Sequence, residues 1–325
     1  MKTHAVESIL RIKNPSTKQF LEMWKEYQPF IIEDVATHWD ARKKWSNDYL
    51  IKHCGNSMVG ISFFKKDFFD DSNNFANDDG YVNTVKEMKY KEYINDYIEK
   101  VNENKNDSDL RCYLSSAVLE HCFPEIVGDV TSPKYFNRKT LASFWHGSSS
   151  KKFSSTTVLH FDGFHNIFVQ IRGRKRILLF PPSNYLSFYP PLEHSQGYAD
   201  YSKVDPNLPN LELFPKFPWQ ERIEVVLQAG EMLYIPPYWW HHVTALEENI
   251  SLSFFYDVEI KDYFKQKKML STMLNIAPHY FYHAISSRDG LWTSIALLKS
   301  LILPGSFTED IRRKETQAGK PLTIK

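Results

Sequence analysis

The stretch TTVLHFDGFHNIFVQIRGRKRILLF, Thr156 to Phe180, holds three apolar, β-branched runs of strand length, broken by Asp-Gly and Arg-Gly-Arg turn signals. IRGRKRI reads as a tight hairpin around Gly173-Arg174. His160 and Asp162 stand two apart, so on a strand both project from one face. The same alternation sets Lys175 apart from Arg174 and Arg176. Downstream, RIEVVLQAGEMLYI, YIPPYWWHHV (Tyr234 to Val243) and ISLSFFYDV continue the pattern of short strands between turns. Evenly spaced strands after a helical start predict an antiparallel barrel or jelly roll decorated by helices.

A His-x-Asp pair with one distant histidine, here in YWWHHV, makes a two-histidine, one-carboxylate set. Such a set binds Fe(II) on one face and leaves the opposite positions open. Alone the pattern is weak in a chain with 12 histidines, where polar residues at a strand end are the ordinary reading.

Toward the N-terminus, STKQFLEMWKEYQP reads as a helix capped by Ser16, with Phe20, Met23 and Trp24 at helical spacing. PFIIEDV and MVGISFF read as strands, and ARKKWSNDYLIKHCG as one helix closing at Gly55. Lys65 to Gly80 is a polar loop. TVKEMKYKEYINDYIEKV carries an apolar stripe of Val85, Met88, Tyr93, Ile94, Tyr97, Ile98 and Val101 that predicts one helix. After about Tyr263 helical patterns return, and LWTSIALLKSLIL (Leu291 to Leu303) reads as amphipathic rather than membrane-spanning.

The chain has 325 residues, 42% hydrophobic and 15% aromatic, enough for a sizeable core. Lys plus Arg total 40 against 39 acidic residues, a net +1, which gives no bulk footprint for nucleic acid or anionic membrane. Three cysteines without a C-x-x-C pair argue against a disulfide framework, and the N-terminus lacks a signal-peptide core. The expected location is the cytoplasm.

TTVLHFDGFHNIFVQIRGRKRILLFPPSNYLSFYP together with GEMLYIPPYWWHHV resembles the Jumonji-C oxygenases, more closely their small hydroxylase branch. The resemblance runs from about Pro29 to about Tyr256. It implies a mainly β fold with flanking helices: a double-stranded β-helix (jelly-roll, cupin) core, helical N-terminal elements and a helical tail. It places a catalytic domain at 1–262 and a helical region at 263–325. It implies an Fe(II)- and 2-oxoglutarate-dependent dioxygenase that consumes O2. By position, His160, Asp162 and His241 hold the iron, and Lys175, Thr157, Tyr113 and Asn166 hold 2-oxoglutarate. For Lys175 the alternative is a solvated basic hairpin, for Thr157 and Tyr113 ordinary strand and core packing, and for Asn166 a turn residue. Alternation turns His242 away from His241; the tryptophans read first as core and barrel-mouth aromatics, and Trp239, which shares the parity of His241, is the candidate to wall the cavity on the substrate side. His165 has no counterpart and reads as a surface histidine, with a place beside the ligands or facing the substrate as the alternative. No residue is assigned as acid, base or nucleophile.

Ser115 and Phe255 depart from the asparaginyl-hydroxylase pattern and argue against that same reaction. A protein or peptide side chain is the favoured substrate. A tRNA nucleoside or small metabolite comes second, with IRGRKR as its local basic patch, and lysine demethylation third. A catalytically dead binding module is disfavoured by the complete His160, Asp162, His241 and Lys175 set. The tail either packs on the barrel or forms a homodimer, the latter favoured.

Overall fold

The computed structural model describes residues 9–64, 84–102, 111–131, 133, 135, 140–150, 154–192, 199–286, 295 and 299. The expected loop Lys65–Gly80 falls outside them, as does the run Leu291–Leu303 except for Ile295 and Lys299. The described strands are β1 (Leu10–Ile12), β2 (Phe30–Ile32), β3 (Met58–Phe64), β4 (Thr84–Lys89), β5 (Arg111–Val118), β6 (Ala142–Gly147) and β7 (Thr156–His160). They continue with β8 (His165–Arg172), β9 (Lys175–Phe180), β10 (Ile223–Leu227), β11 (Met232–Ile235), β12 (Trp240–Ala245) and β13 (Asn249–Tyr256).

The last eight strands form two facing sheets. One carries β11-β8-β13-β6 and extends through β5, β3 and β4 at one end and β2 and β1 at the other; the second is β10-β9-β12-β7. Successive strands alternate between sheets, except β9 and β10, which pair within the second sheet; this makes the core a double-stranded β-helix, as the sequence led us to expect. Ile31, Phe168, Ile177, Leu179, Leu233 and Val243 fill the space between the sheets. Burying such side chains contributes roughly 1.5–3 kcal/mol each.

That alternation corrects the hairpin reading of IRGRKRI. β8 pairs with β11 and β13, whereas β9 pairs with β10 and β12. Gly173 is therefore a corner at which the chain changes sheet. Its φ is +66°, and a Cβ there would lie 2.0 Å from the Glu248 carbonyl oxygen, so glycine is required.

Two helical expectations also change. Ala41–Gly55 is two helices, Asp40–Lys44 and Asn47–Cys54. The break is at Ser46, whose hydroxyl accepts from the Tyr49 amide and caps the second helix. Thr84–Lys89 is a strand, not the start of a helix, and pairs antiparallel with β3 from Met58 to Phe63. Once β5 has taken one edge of β3, the other edge leaves N–H and C=O groups that an extended segment satisfies. Val85 is accordingly exposed, while Tyr93, Ile94, Ile98 and Val101 on the helix that follows are buried.

The helix Thr17–Trp24 forms as expected, with a reciprocal capping box between Ser16 and Gln19. Phe20 stacks on Tyr135 at 4.3 Å. Beyond the barrel, helices Ile260–Lys265 and Lys267–Ser286 return the chain to its flank, where Tyr263, Met269 and Ile276 join Leu159, Phe161, Phe188 and Trp240 in one cluster. No helix among the described residues is long and apolar enough to cross a membrane. All three cysteines are free and buried.

Gly173→Ala is expected to lower the urea midpoint, corresponding to a loss of at least about 1–2 kcal/mol from the left-handed backbone alone. A wild-type midpoint would mean that the sheet-to-sheet corner does not depend on this conformation.

Candidate metal centre

β7 and β12 run antiparallel with His160 opposite His241, so two imidazoles far apart in sequence face each other with ring centroids 4.1 Å apart. Each Nδ1 is held by a main-chain carbonyl: His160 Nδ1 donates to Val158 O at 2.8 Å and His241 Nδ1 to Trp239 O at 2.9 Å. A carbonyl only accepts, so the proton sits on Nδ1 and the Nε2 lone pair is left to face inward. Burial, then the neighbouring His160, pushes His241 down to about 4, which keeps it neutral as a ligand must be. Asp162 Oδ1 lies 4.0 Å from His160 Nε2, and Asp162 Oδ2 lies 3.6 Å from His241 Nε2. The three donor atoms fall within 4.8 Å of one another, the one such group of His, Cys, Asp or Glu among the described residues.

Asp162 is not on the strand, because β7 ends at His160. Its carbonyl accepts from the Tyr238 amide at 2.8 Å, and its carboxylate has Asn166 Nδ2 at 3.5 Å. Tyr238 has φ +63°, a left-handed conformation that costs a non-glycine residue roughly 1–3 kcal/mol. The outer edge of β7 is covered by the strip Ala199–Ser202. Phe161 N–H donates to Asp200 O at 3.0 Å and Ser202 N–H to Leu159 O at 2.9 Å, and the Tyr201 ring stacks on His160 at 5.6 Å.

Deeper between the sheets, Lys175 is 1% exposed. Its ammonium donates to Tyr113 Oη at 2.9 Å and Ser251 Oγ at 2.7 Å and lies 5.0 Å from the Phe168 ring centroid. No carboxylate of the described residues offsets the charge, and burial alone pushes the amine down to about 7. Thr157 shares a hydrogen bond with the Tyr113 phenol. Strict alternation would send Thr157 and His160 to opposite faces. A bulge resolves this: His241 pairs with His160 and Val243 with Thr157, so three steps on β7 match two on β12. Two buried atoms here have no partner, Asn166 Oδ1 and Ser253 Oγ.

The sequence-based residues are thus brought together as one interior: His160, Asp162, His241, Asn166, Lys175, Tyr113 and Thr157. Trp239 is buried in the same interior cluster as Phe168 and Val243, with its indole N–H committed to Tyr27 O at 3.0 Å, so it offers a bound molecule ring surface only. His242 faces away as expected, toward Asn207. His165 is corrected from surface to core: it is sandwiched against Trp24 at 4.0 Å, bonded to the Tyr234 phenol at 2.8 Å, and pushed down to about 3 by burial. Ser251 and Ser253 were missed; the signal was two small hydroxyls at every-other positions of the otherwise apolar ISLSFF.

Residues 16–262 match the family model described as a cupin-like domain. The chain is 31% identical over 236 residues to the lysine-specific demethylase JMJ30 of Arabidopsis thaliana, covering 71% of this chain and 50% of that protein. It is 28% identical to the tRNA wybutosine-synthesizing protein 5 of Mus musculus, covering 76% of each. It is 24% identical to the human bifunctional peptidase and (3S)-lysyl hydroxylase JMJD7, covering 76% of this chain and 83% of that protein. The chain spans half to three fifths of the first curated relatives it matches. With two facing sheets, the inward-turned residues and a match over most of its length, the chain belongs to the cupin-like domain family.

Proposed function

We propose that the chain is an Fe(II)- and 2-oxoglutarate-dependent dioxygenase that hydroxylates a C–H bond of a protein or peptide side chain. One observation carries this: two imidazoles with free Nε2 lone pairs and one carboxylate converge in the same interior as a buried ammonium that meets no carboxylate of the described residues. Two nitrogens and a carboxylate oxygen suit Fe(II) and leave positions open. The dicarboxylate supplies the anion that Lys175 lacks. Iron, when bound, supplies O2 activation coupled to oxidative decarboxylation of 2-oxoglutarate to succinate and CO2, with one oxygen atom passing to the substrate.

The chain's own residues bind and orient. Lys175, with the Tyr113, Thr157 and Ser251 hydroxyls, clamps the far carboxylate. Asn166 Oδ1 and Ser253 Oγ, unpartnered, offer further polar contacts along the wall. Phe168, Ile177, Val243 and Trp239 exclude water, and the ring face of Trp239 walls the substrate side.

A polyanionic substrate is less well supported. The basic stretch is internally neutralised: Arg172 pairs with Glu248, Arg174 with Glu247 at 2.9 Å, and Arg176 with Glu224 at 2.6 Å. The similarity to a lysyl hydroxylase over most of its length favours a protein target. A tRNA nucleoside or small metabolite is the second reading, carried by the wybutosine-synthesizing relative, and lysine demethylation stands third, on JMJ30. The enzyme works in the cytoplasm as a homodimer through the region from 263 on, a reading supported by the exposed Ile260, Phe264 and Leu274 on the last helices.

Fe(II)-loaded chain supplied with protein, small-RNA or metabolite fractions is expected to release succinate above background with protein, and Asp162→Ala to release none. Stimulation by RNA or metabolites alone would replace the substrate class, and turnover by Asp162→Ala would remove the metal reading. Lys175→Met is expected to raise half-saturating 2-oxoglutarate at least tenfold. It also changes pH dependence. The folded amine titrates near 7 and the unfolded one near 10.4, so between these values the unfolded state binds more protons and stability rises with pH. The gain, about 1.4 kcal/mol per pH unit, should appear as the difference in slope between ligand-free wild type and Lys175→Met in urea titrations from pH 7.5 to 9.5, because the buried Cys54 and Cys112 thiols, pushed up to about 12, give both proteins an opposing slope.

A further inference from the structure

Of the three metal-ligand positions, Asp162 is the one the strands do not hold. His160 and His241 sit opposite each other in a ladder. Asp162 lies past the end of β7, and its carboxylate, besides the two facing imidazoles, has Asn166 Nδ2 at a long 3.5 Å. Its own main-chain hydrogen bond comes from the Tyr238 amide at 2.8 Å.

Tyr238 itself adopts φ +63°, a left-handed conformation that its packing must enforce. The Tyr238 ring packs on Phe161 at 5.4 Å, and its phenol oxygen lies 3.9 Å from where a Gly163 Cβ would stand. Its phenol meets the Tyr263 phenol at 3.0 Å, with the rings edge to face at 6.0 Å. Tyr263 belongs to the helix Ile260–Lys265, outside the barrel. The same helix is anchored a second time, by a hydrogen bond between Asp262 and the Tyr27 phenol, and the Tyr27 carbonyl holds the Trp239 indole. Both residues between the Pro-Pro turn and β12 are therefore tied to this helix.

We infer that Tyr263 is a positioning residue for the metal centre: through the Tyr238 phenol it holds the Tyr238 amide on Asp162, the anionic ligand. The inference rests on the metal reading above. The helix after the barrel is thus part of the site's support, coupled to the one ligand that lacks a strand.

The test is Co(II) binding to the full chain, followed by the visible absorption bands, in wild type, Tyr263→Phe, Tyr238→Phe and the double variant. Each single change removes one hydroxyl and keeps the ring. The expected result is a Kd for Co(II) raised about threefold to fivefold in each single variant, altered band intensities, and no further weakening in the double variant, because one hydrogen bond is lost in all three. Co(II) affinities within twofold of wild type, or additive effects in the double variant, would overturn the inference. So would a lowered melting temperature of the metal-free chain with unchanged Co(II) bands, the mark of a merely structural contact. Failure of the wild-type chain itself to bind Co(II) would instead sink the metal reading, and the inference with it.

Discussion

The antiparallel pairing of β7 with β12 is the constraint on which the site depends. It sets His160 against His241 in one ladder, and their neighbouring carbonyls fix both tautomers without help from any other side chain. The bulge in β7 then turns Thr157 to the same side, toward Tyr113 and Lys175. The remaining ligand needs the loop that leaves β7 to return over the start of β12, which is why Asp162 and Tyr238 meet. One register decision thus fixes the facing imidazoles and the side on which Thr157 meets Tyr113 together.

Most of the strands were legible because period-2 alternation survives wherever a strand has a core face, and Lys175 stood out by parity between two arginines. Sheet membership was not legible. A tight Gly-centred turn looks the same whether it joins neighbours or carries the chain across a corner, and only the Glu248 carbonyl against Gly173 distinguishes them. Thr84–Lys89 misled because its residues fit a helical count, while the open edge of β3, a distant feature, decided its conformation. His165 was misread because one histidine carries no signal of the Trp24 and Tyr234 rings around it. Ser251 and Ser253 were passed over as ordinary polar residues; their meaning comes from the strand's inward face. The seven residues proposed for metal and co-substrate were picked out by pattern and resemblance, but their neighbours Tyr238 and the strip Ala199–Ser202 come from segments whose local sequence says nothing about where they fold back.

Charge is distributed with the same economy. The arginines that look like a nucleic-acid patch each meet a glutamate, so they tie the Gly173 corner and β9 to β10 and to the turn before β13. Lys175 alone is withheld from that pairing and carried into the core. A basic run in the sequence becomes a set of closed surface pairs and one unanswered interior cation.

The strip Ala199–Ser202 has a consequence of its own. It lies against β7 by main-chain bonds, next to His160, yet belongs to the long connection between β9 and β10. The main-chain bonds hold it whatever its side chains, while the buried Ser202 hydroxyl adds a bond to Phe188 O and the Tyr201 ring lies against His160. The barrel supplies a fixed floor and the connection a rim fastened to it from outside the ladder, so a change at Tyr201 alters what borders His160 without touching the pairing of β7 with β12.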